Sequence, residues 1–306
     1  MKSSLTMEQI EGIDVRRRRP RPLPYLLLLP ALLALVLMLG FPLIRLVTLS
    51  LQDFGLKQQF GAPAEWVGLK NFREILSDDQ FWQVLRRTIV FCAVNVMLTM
   101  VLGLAIAMLL NRLGKWMRLL TMTGLMLAWS MPALTATVIW QWIFDTQYGI
   151  ANWLFGRQGQ SWLSNPLTFY FVATIIVVWM GIPFVAFTLY AGLTQIPSET
   201  MEAASIDGAT PWQRFLDIVV PSLKPILLIL TSLSVLWDFR VFTQIYVLQS
   251  AGGINRDTNL LGVYAYRTSI GSSHFDRGAA IAIVMVLITV LLTLVYLRSM
   301  VRQEEL

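Results

Sequence analysis

Two charged residues, Asp238 and Arg240, stand inside a stretch that is otherwise apolar from Pro225 to Leu248. A charge at mid-membrane costs about 2.5–3.5 kcal/mol on insertion scales, so such residues are functional candidates by default. Along a helix, Asp238 lies about 20 Å beyond Pro225, in the outer half of a bilayer. Ser234, Asp238 and Phe242 fall at i, i+4 and i+8, one stripe of that helix. A hydroxyl, a carboxylate and an aromatic ring on one face suit a polar solute that offers hydrogen-bonding groups beside a flat apolar face. Arg240 points about 200° away from Asp238 around a straight helix, so the two cannot neutralise each other on one face. Each either faces a pathway or pairs with a neighbouring helix. Trp129 and Trp179 fall near mid-span and are further candidates for stacking on solute, with helix or lipid packing as the alternative. Gly181 and Pro183, just after Trp179, can bend their helix and open a cavity. Asn95 offers hydrogen bonds either to solute or to another helix.

Reagents for covalent chemistry are scarce. The sequence has one cysteine, Cys92, in an apolar run, and one histidine, His274. One cysteine excludes an internal disulfide and a cysteine-rich metal site, and one histidine argues against a Ser-His-Asp or multi-histidine centre. A phosphate-cradling loop needs G-x-x-x-x-G-K-[ST]. The one Gly-Lys pair, Gly114-Lys115, is followed by Trp116 and has no glycine five residues before it. No catalytic residue, metal ligand or cofactor is expected on this chain.

The elements that must position the candidates are membrane helices. Of 306 residues, 56 % are hydrophobic and 14 % charged, against roughly 25 % charged in an ordinary soluble domain. Mean hydropathy is +0.62. This composition excludes a soluble domain, which needs a polar shell, and disorder, which needs low hydrophobicity. A helix crossing the hydrocarbon core needs about 20 apolar residues. Six charge-poor stretches qualify, at about 23–49, 88–111, 119–144, 168–193, 225–248 and 279–298. The fold class expected is therefore all-α, a polytopic membrane protein with six transmembrane helices. The first stretch exceeds the apolar run of a secretory signal and has no small-residue cleavage site after it, so it reads as a retained helix. The net charge of +6 is carried largely by tails and loops. Arg16, Arg17, Arg18, Arg19 and Arg21 precede the first helix, which places the basic tail 1–22 in the cytoplasm. The transmembrane domain then spans 23–301, and 302–306 form a second cytoplasmic tail. The positive balance is an orientation signal and implies no nucleic-acid partner.

The connection at 197–225, on the cytoplasmic side in this topology, reads as two short helices. Ser198 is placed to cap the first, with Glu199 and Glu202 in its opening turn, where the dipole favours anions. Asp207-Gly208 is a turn signal. Thr210 and Pro211 start the second helix as N-cap and first residue. Trp212, Phe215, Leu216 and Val219 share one of its faces, and Pro221 and Pro225 are expected to end it. Such a hairpin either lies on the membrane surface or docks on a cytoplasmic partner.

Glu202-Ala203-Ala204, Asp207-Gly208, Ile218 and Pro221 resemble the EAA loop of permease subunits in binding-protein-dependent ABC importers. Val220 stands where that family has leucine. Gly68-Leu69-Lys70-Asn71-Phe72, Trp140 to Phe144, Tyr148 to Asn152, Ile245 to Leu248 and Gly252-Gly253 resemble elements of the MalF-type group that takes up carbohydrates. The resemblance covers nearly the whole chain. It implies the type I importer architecture, called MetI-like, in the bacterial plasma membrane. It implies a sugar, a di- or oligosaccharide, as substrate. It also implies a second homologous permease forming a heterodimer, a cytoplasmic ATPase dimer carrying ATP and Mg, an extracytoplasmic solute-binding protein and surrounding membrane lipid. In that setting the hairpin is a coupling helix, with Glu202 facing a charge on the ATPase and Gly208 setting the angle between its helices. A permease of the same fold for glycerol-3-phosphate or another small solute, with Arg240 as anchor, is the alternative. A stand-alone secondary transporter would carry internal repeats, and none is evident.

Overall fold

A computed structural model describes residues 23–304. The basic tail at 1–22, on which the orientation argument rests, lies outside the described residues, as do 305–306. The chain divides into two compact units between Leu46 and Val47. The first holds α1 (Leu23–Leu35), a π-helical turn (Val36–Gly40) and the start of α2 (Phe41–Ser50), which ends in the second. From Leu23 to Leu35 this segment is apolar on every side, as a helix surrounded by lipid is.

In the second unit, β1 (Gln52–Asp53) and β2 (Glu65–Trp66) form a two-residue antiparallel pair, Gln52 opposite Trp66 and Asp53 opposite Glu65. The short helix α3 (Leu56–Gln59) lies between them and α4 (Lys70–Leu76) follows. The side chain of Asn71, almost fully buried, donates to the carbonyls of Ser50 at 3.0 Å and Gln52 at 2.8 Å. That clamp gives the Gly68–Phe72 element a structural purpose: it ties the start of α4 to the end of α2 and the start of β1. Asn71→Ala leaves two carbonyls without this donor, at about 1–3 kcal/mol for each buried group left unsatisfied. Limited proteolysis of the purified protein should then cut between residues 50 and 70 faster than in the wild type.

The membrane helices follow. They are α5 (Asp79–Arg112), α6 (Lys115–Trp129), α7 (Ala133–Ile143), α9 (Pro166–Leu193), α12 (Val220–Asp238), α13 (Thr243–Ser250) and α16 (Phe275–Glu304), with α8 (Ile150–Leu154) before α9. Between α9 and α12 come α10 (Ser198–Ile206) and α11 (Pro211–Arg214); α14 (Asn255–Thr258) and α15 (Leu261–Tyr266) precede α16. Among the described residues, five helical segments are long and apolar enough to cross a membrane, and α6 with α7 makes a sixth if counted together. That third stretch is not one straight helix: α6 and α7 meet at 102°. Pro132 lacks an N–H and restricts the residue before it, which ends α6 and starts α7. Helices also overrun the charge-poor stretches. Asp78 caps α5 by accepting from the Gln80 N–H at 2.9 Å, so α5 begins nine residues ahead of the apolar run that starts at 88.

Close approaches give the helix directions. Thr99 meets Gly181 and Val185 meets Gly103, so α5 and α9 run parallel. Gly192 meets Leu223 and Ile226 while Phe184 meets Trp237, so α12 runs back against α9. Small residues at these crossings let backbones come close, the usual basis of helix association in lipid. The core divides accordingly. Ala107, Leu189, Leu193, Val219 and Leu223 fill the end nearest α10 and α11. Phe169, Val172, Ile245 and Leu248 fill one side of the opposite end, and Phe81, Val84, Phe239 and Ile281 the other.

Candidate functional site

The hairpin forms much as its turn chemistry dictates. Thr210 Oγ1 accepts from the Gln213 N–H, and the Gln213 side chain accepts from the Thr210 N–H, a reciprocal cap. Gly208 has φ +81°, and its turn is closed by the Ala209 N–H donating to Ala204 at 2.9 Å. Glycine is required there by the backbone, since a Cβ would meet nothing within 4 Å. Ser198 is not the cap: it is the first helical residue, and Pro197 occupies the cap position without a side-chain hydrogen bond.

Pro221 and Pro225 do not end the second helix. The chain continues from α11 through a π-helical turn (Phe215–Val219) into α12. A proline ring clashes with the carbonyl four residues back and removes an N–H. The wider turn just before Pro221 relieves both, because its ladder runs i to i+5. The same arrangement recurs before Pro42, after the turn at Val36–Gly40. One rigid element therefore joins the hairpin to the interior of the bundle.

The apolar face of the hairpin splits. Val219 is buried, and Met201 and Phe215 pack on the adjoining core with it. Ile206 is 86 % exposed and Trp212 67 %. Glu202, Ala203, Asp207, Gly208 and Pro221 are exposed, while Ala204 and Ile218 are half-buried. The tip thus presents apolar side chains beside a carboxylate, on a stiff stalk.

At the other end of α12 the helix stops at Asp238 and α13 starts at Thr243, so the stripe of Ser234, Asp238 and Phe242 is broken. No glycine or proline causes this. Phe239 packs into one core cluster and Val241 and Phe242 into another, and a continuous helix cannot serve both. Ser234 is buried and Asp238 half-buried. Arg240 folds back, its Nε donating to the Leu236 carbonyl at 2.9 Å, and so caps the C-terminus of α12. No ion pair joins Asp238 or Arg240 to another side chain among the described residues. The Asn95 side chain is fully buried; its Nδ2 donates to the Phe91 carbonyl and its Oδ1 has no partner.

Phe242 instead joins an aromatic wall. Its ring stacks on Tyr246 at 5.5 Å and 11°, and both meet Tyr266 edge-on at 5.5 Å. Arg267 lies over the Tyr246 ring at 5.4 Å, and its Nε donates to Gln249 Oε1 at 2.9 Å. Gln249, buried, donates in turn to Thr258 Oγ1 and Asn259 Oδ1. Its amide is thus fully committed to holding the guanidinium. Trp179 meets Trp140 edge-on at 5.9 Å, next to Met180, whose sulfur accepts from Gln244 of α13. Trp129 stacks on Phe184, which meets Trp237. Tyr246, Tyr266, Arg267 and Gln249 escape a reading by hydropathy because they lie at the edge of the fifth stretch or beyond it. The spacing Phe242–Tyr246 was the available signal.

A loop closes this end. The buried Asn152 side chain donates to the carbonyls of Asp145, Thr146 and Gln160 and accepts from Trp162 Nε1. Trp162 is therefore core, unlike the exposed Trp142 and Trp153, which suit a membrane–water interface. Gly149 permits the turn because a Cβ there would lie 2.4 Å from the Asp145 oxygen. The Asp145 carboxylate accepts from the Tyr148 and Gln147 N–H groups, which hold it below its ordinary value of 3.8. A depressed carboxyl contributes stability above the unfolded value that is lost as pH falls through the folded one. The melting-temperature gap between wild type and Asp145→Ala should therefore narrow as pH drops below about 3.8.

Residues 99–304 match the family described as binding-protein-dependent transport system inner membrane component. The chain belongs to this family. The matched region of this transport component contains the hairpin, the break after Asp238 and the aromatic wall. It is 45 % identical over 288 residues to a diacetylchitobiose uptake system permease protein of Streptomyces coelicolor, covering 92 % of this chain and 88 % of the relative. It is 33 % identical to the trehalose/maltose transport system permease protein MalF of Thermococcus litoralis, covering 92 % and 94 %. Its fold matches a chain of a bacterial ABC transporter for import of the acidic polysaccharide alginate, with TM-score 0.78 and 20 % identity, over 92 % and 95 % of the two chains.

Proposed function

We propose that this chain is the transmembrane subunit of an ATP-driven importer for a di- or oligosaccharide. The observation that carries the reading is the similarity, over nine-tenths of the chain, to a permease of a disaccharide uptake system. The hairpin docks on a separate cytoplasmic ATPase dimer, which binds ATP and Mg. A second homologous permease completes the pathway, and an extracytoplasmic binding protein delivers the sugar. Both termini lie in the cytoplasm of a bacterial cell.

The mechanism follows from the rigid stalk. ATPase closure moves the hairpin, and α11 and α12 carry the motion into the bundle without a flexible joint. The break after Asp238 lets α13 and its aromatic wall change angle against α12, one element of a two-state transition between access to the two sides. Ser234, Asp238, Phe242, Trp179, Trp129 and Asn95 remain candidates for the pathway, with Tyr246, Tyr266 and Arg267 added. Arg240 acts as a cap on α12, which takes away the anchor that the sequence reading gave an anionic solute. Stacking on the Phe242–Tyr246 faces and hydrogen bonding to Arg267 suit a neutral sugar ring. Deleting the gene and measuring uptake of labelled diacetylchitobiose and maltose tests the substrate class: loss of uptake of either supports it, and unchanged uptake of both, alongside loss of a non-sugar solute, overturns it.

A further inference from the structure

The α5–α9 pair forms a groove of about 480 Å³ on its outer surface. Arg86, Val90, Val94 and Leu98 make one wall, each four residues after the last, so they form a straight ridge along α5. Leu167 and Phe171 of α9 face them. The ridge is about 18 Å long, slightly more than half of a ~30 Å hydrocarbon core. Its polar end coincides with the first turn of α9 at Pro166 and with the point where α5 becomes apolar. The groove therefore starts at the membrane–water boundary and runs through one leaflet. Trp82, one turn above Arg86 and 51 % exposed, suits that boundary.

The charges at the mouth are unequal in their commitments. Arg87 donates to the Arg256 carbonyl at 2.8 Å and lies 4.0 Å from Asp257. The Arg256 side chain bonds Gln80. Asp78 is taken up by the α5 cap and by Tyr264. Asp79 lines a neighbouring depression with Trp82, Gln83 and Arg86, but its position is two turns, about 10 Å, above Arg86. Arg86 is exposed, and no ion pair or hydrogen bond engages it among the described residues. One cation thus stands at the head of an apolar channel one leaflet deep.

We propose that this groove binds one anionic phospholipid, its phosphate on Arg86 and one acyl chain between Val90–Leu98 and Leu167–Phe171. Two features favour lipid over a second protein chain. Of the wall residues only Thr174 is of the small type that lets membrane helices approach closely; the others are large side chains that hold a second backbone away. A partner helix would also have to supply an acid at the level of Arg86, whereas a phospholipid places its phosphate at that depth by construction. The lipid would brace α5 against α9, the most extensively packed helix pair in the bundle.

Native mass spectrometry of the full-length protein, titrated in detergent with phosphatidylglycerol and with phosphatidylcholine, tests this. One phosphatidylglycerol should be retained about fivefold more strongly than phosphatidylcholine, the preference one arginine confers. Arg86→Gln should abolish the preference, and Val94→Trp, which fills the groove but keeps the cation, should abolish retention. Equal retention of both lipids by the wild type overturns the proposal without recourse to any variant. A photoreactive residue at Val94, in membranes holding the complete transporter, should yield a lipid adduct; an adduct to a protein chain instead overturns it.

Discussion

Gly208→Asp is expected to abolish sugar uptake while leaving membrane abundance unchanged. The backbone at Gly208 has φ +81°, and a left-handed residue with a side chain costs roughly 1–2 kcal/mol. Nothing lies within 4 Å of the added Cβ, so the fold itself is not overpacked. The strain is relieved by changing the angle between α10 and α11, which moves Glu202 and Ile206 relative to Trp212. A second carboxylate beside Asp207 adds repulsion at the same exposed tip. Even a tenfold loss of productive docking needs only about 1.4 kcal/mol. Gly208→Asn is the control: asparagine and aspartate tolerate this conformation alike, but asparagine adds no charge beside Asp207, so it should keep a larger part of the activity. Uptake assays with membrane quantification check both variants, and normal uptake by Gly208→Asp would exclude a docking role for the hairpin.

Tyr246→Ala should reduce uptake about 5- to 30-fold, the effect of losing one to two kcal/mol. Tyr246 is the centre of the wall, touching Phe242, Tyr266 and Arg267. Removing its ring takes away a stacking surface and the cation–π seat of the guanidinium, worth about 0.5–2 kcal/mol. Tyr246→Phe keeps the ring and should stay near wild type. ATP hydrolysis by the assembled complex without sugar should be unaltered in both variants, because the hairpin is intact. A matching loss in that basal rate would make the residue structural instead.

The sequence reveals spans and hairpin well, and the pathway poorly, for a physical reason. Membrane helices are encoded by local composition, since lipid demands about 20 apolar residues in a row. The hairpin is encoded by local turn chemistry: Gly208 by its backbone angle, Thr210 and Pro211 by their capping roles. The break after Asp238 has no such signature. It arises because Phe239 and Val241 belong to different core clusters, a fact of tertiary packing. A stripe drawn on an ideal helix through Ser234, Asp238 and Phe242 therefore fails at its last member. Pro221 misleads in the opposite direction, since the π-helical turn before it lets the helix pass. Arg240 shows that an unusual charge in an apolar run can be a cap, a role that only the helix end makes visible.

Transport by the reconstituted complex tests the central claim most directly. The chain would be placed in proteoliposomes with the proposed second permease, ATPase and binding protein, and accumulation of labelled disaccharide followed. Accumulation should require ATP at the hairpin side and the binding protein at the other, and should vanish in Gly208→Asp. Accumulation without ATP, driven by an ion gradient alone, would contradict the account.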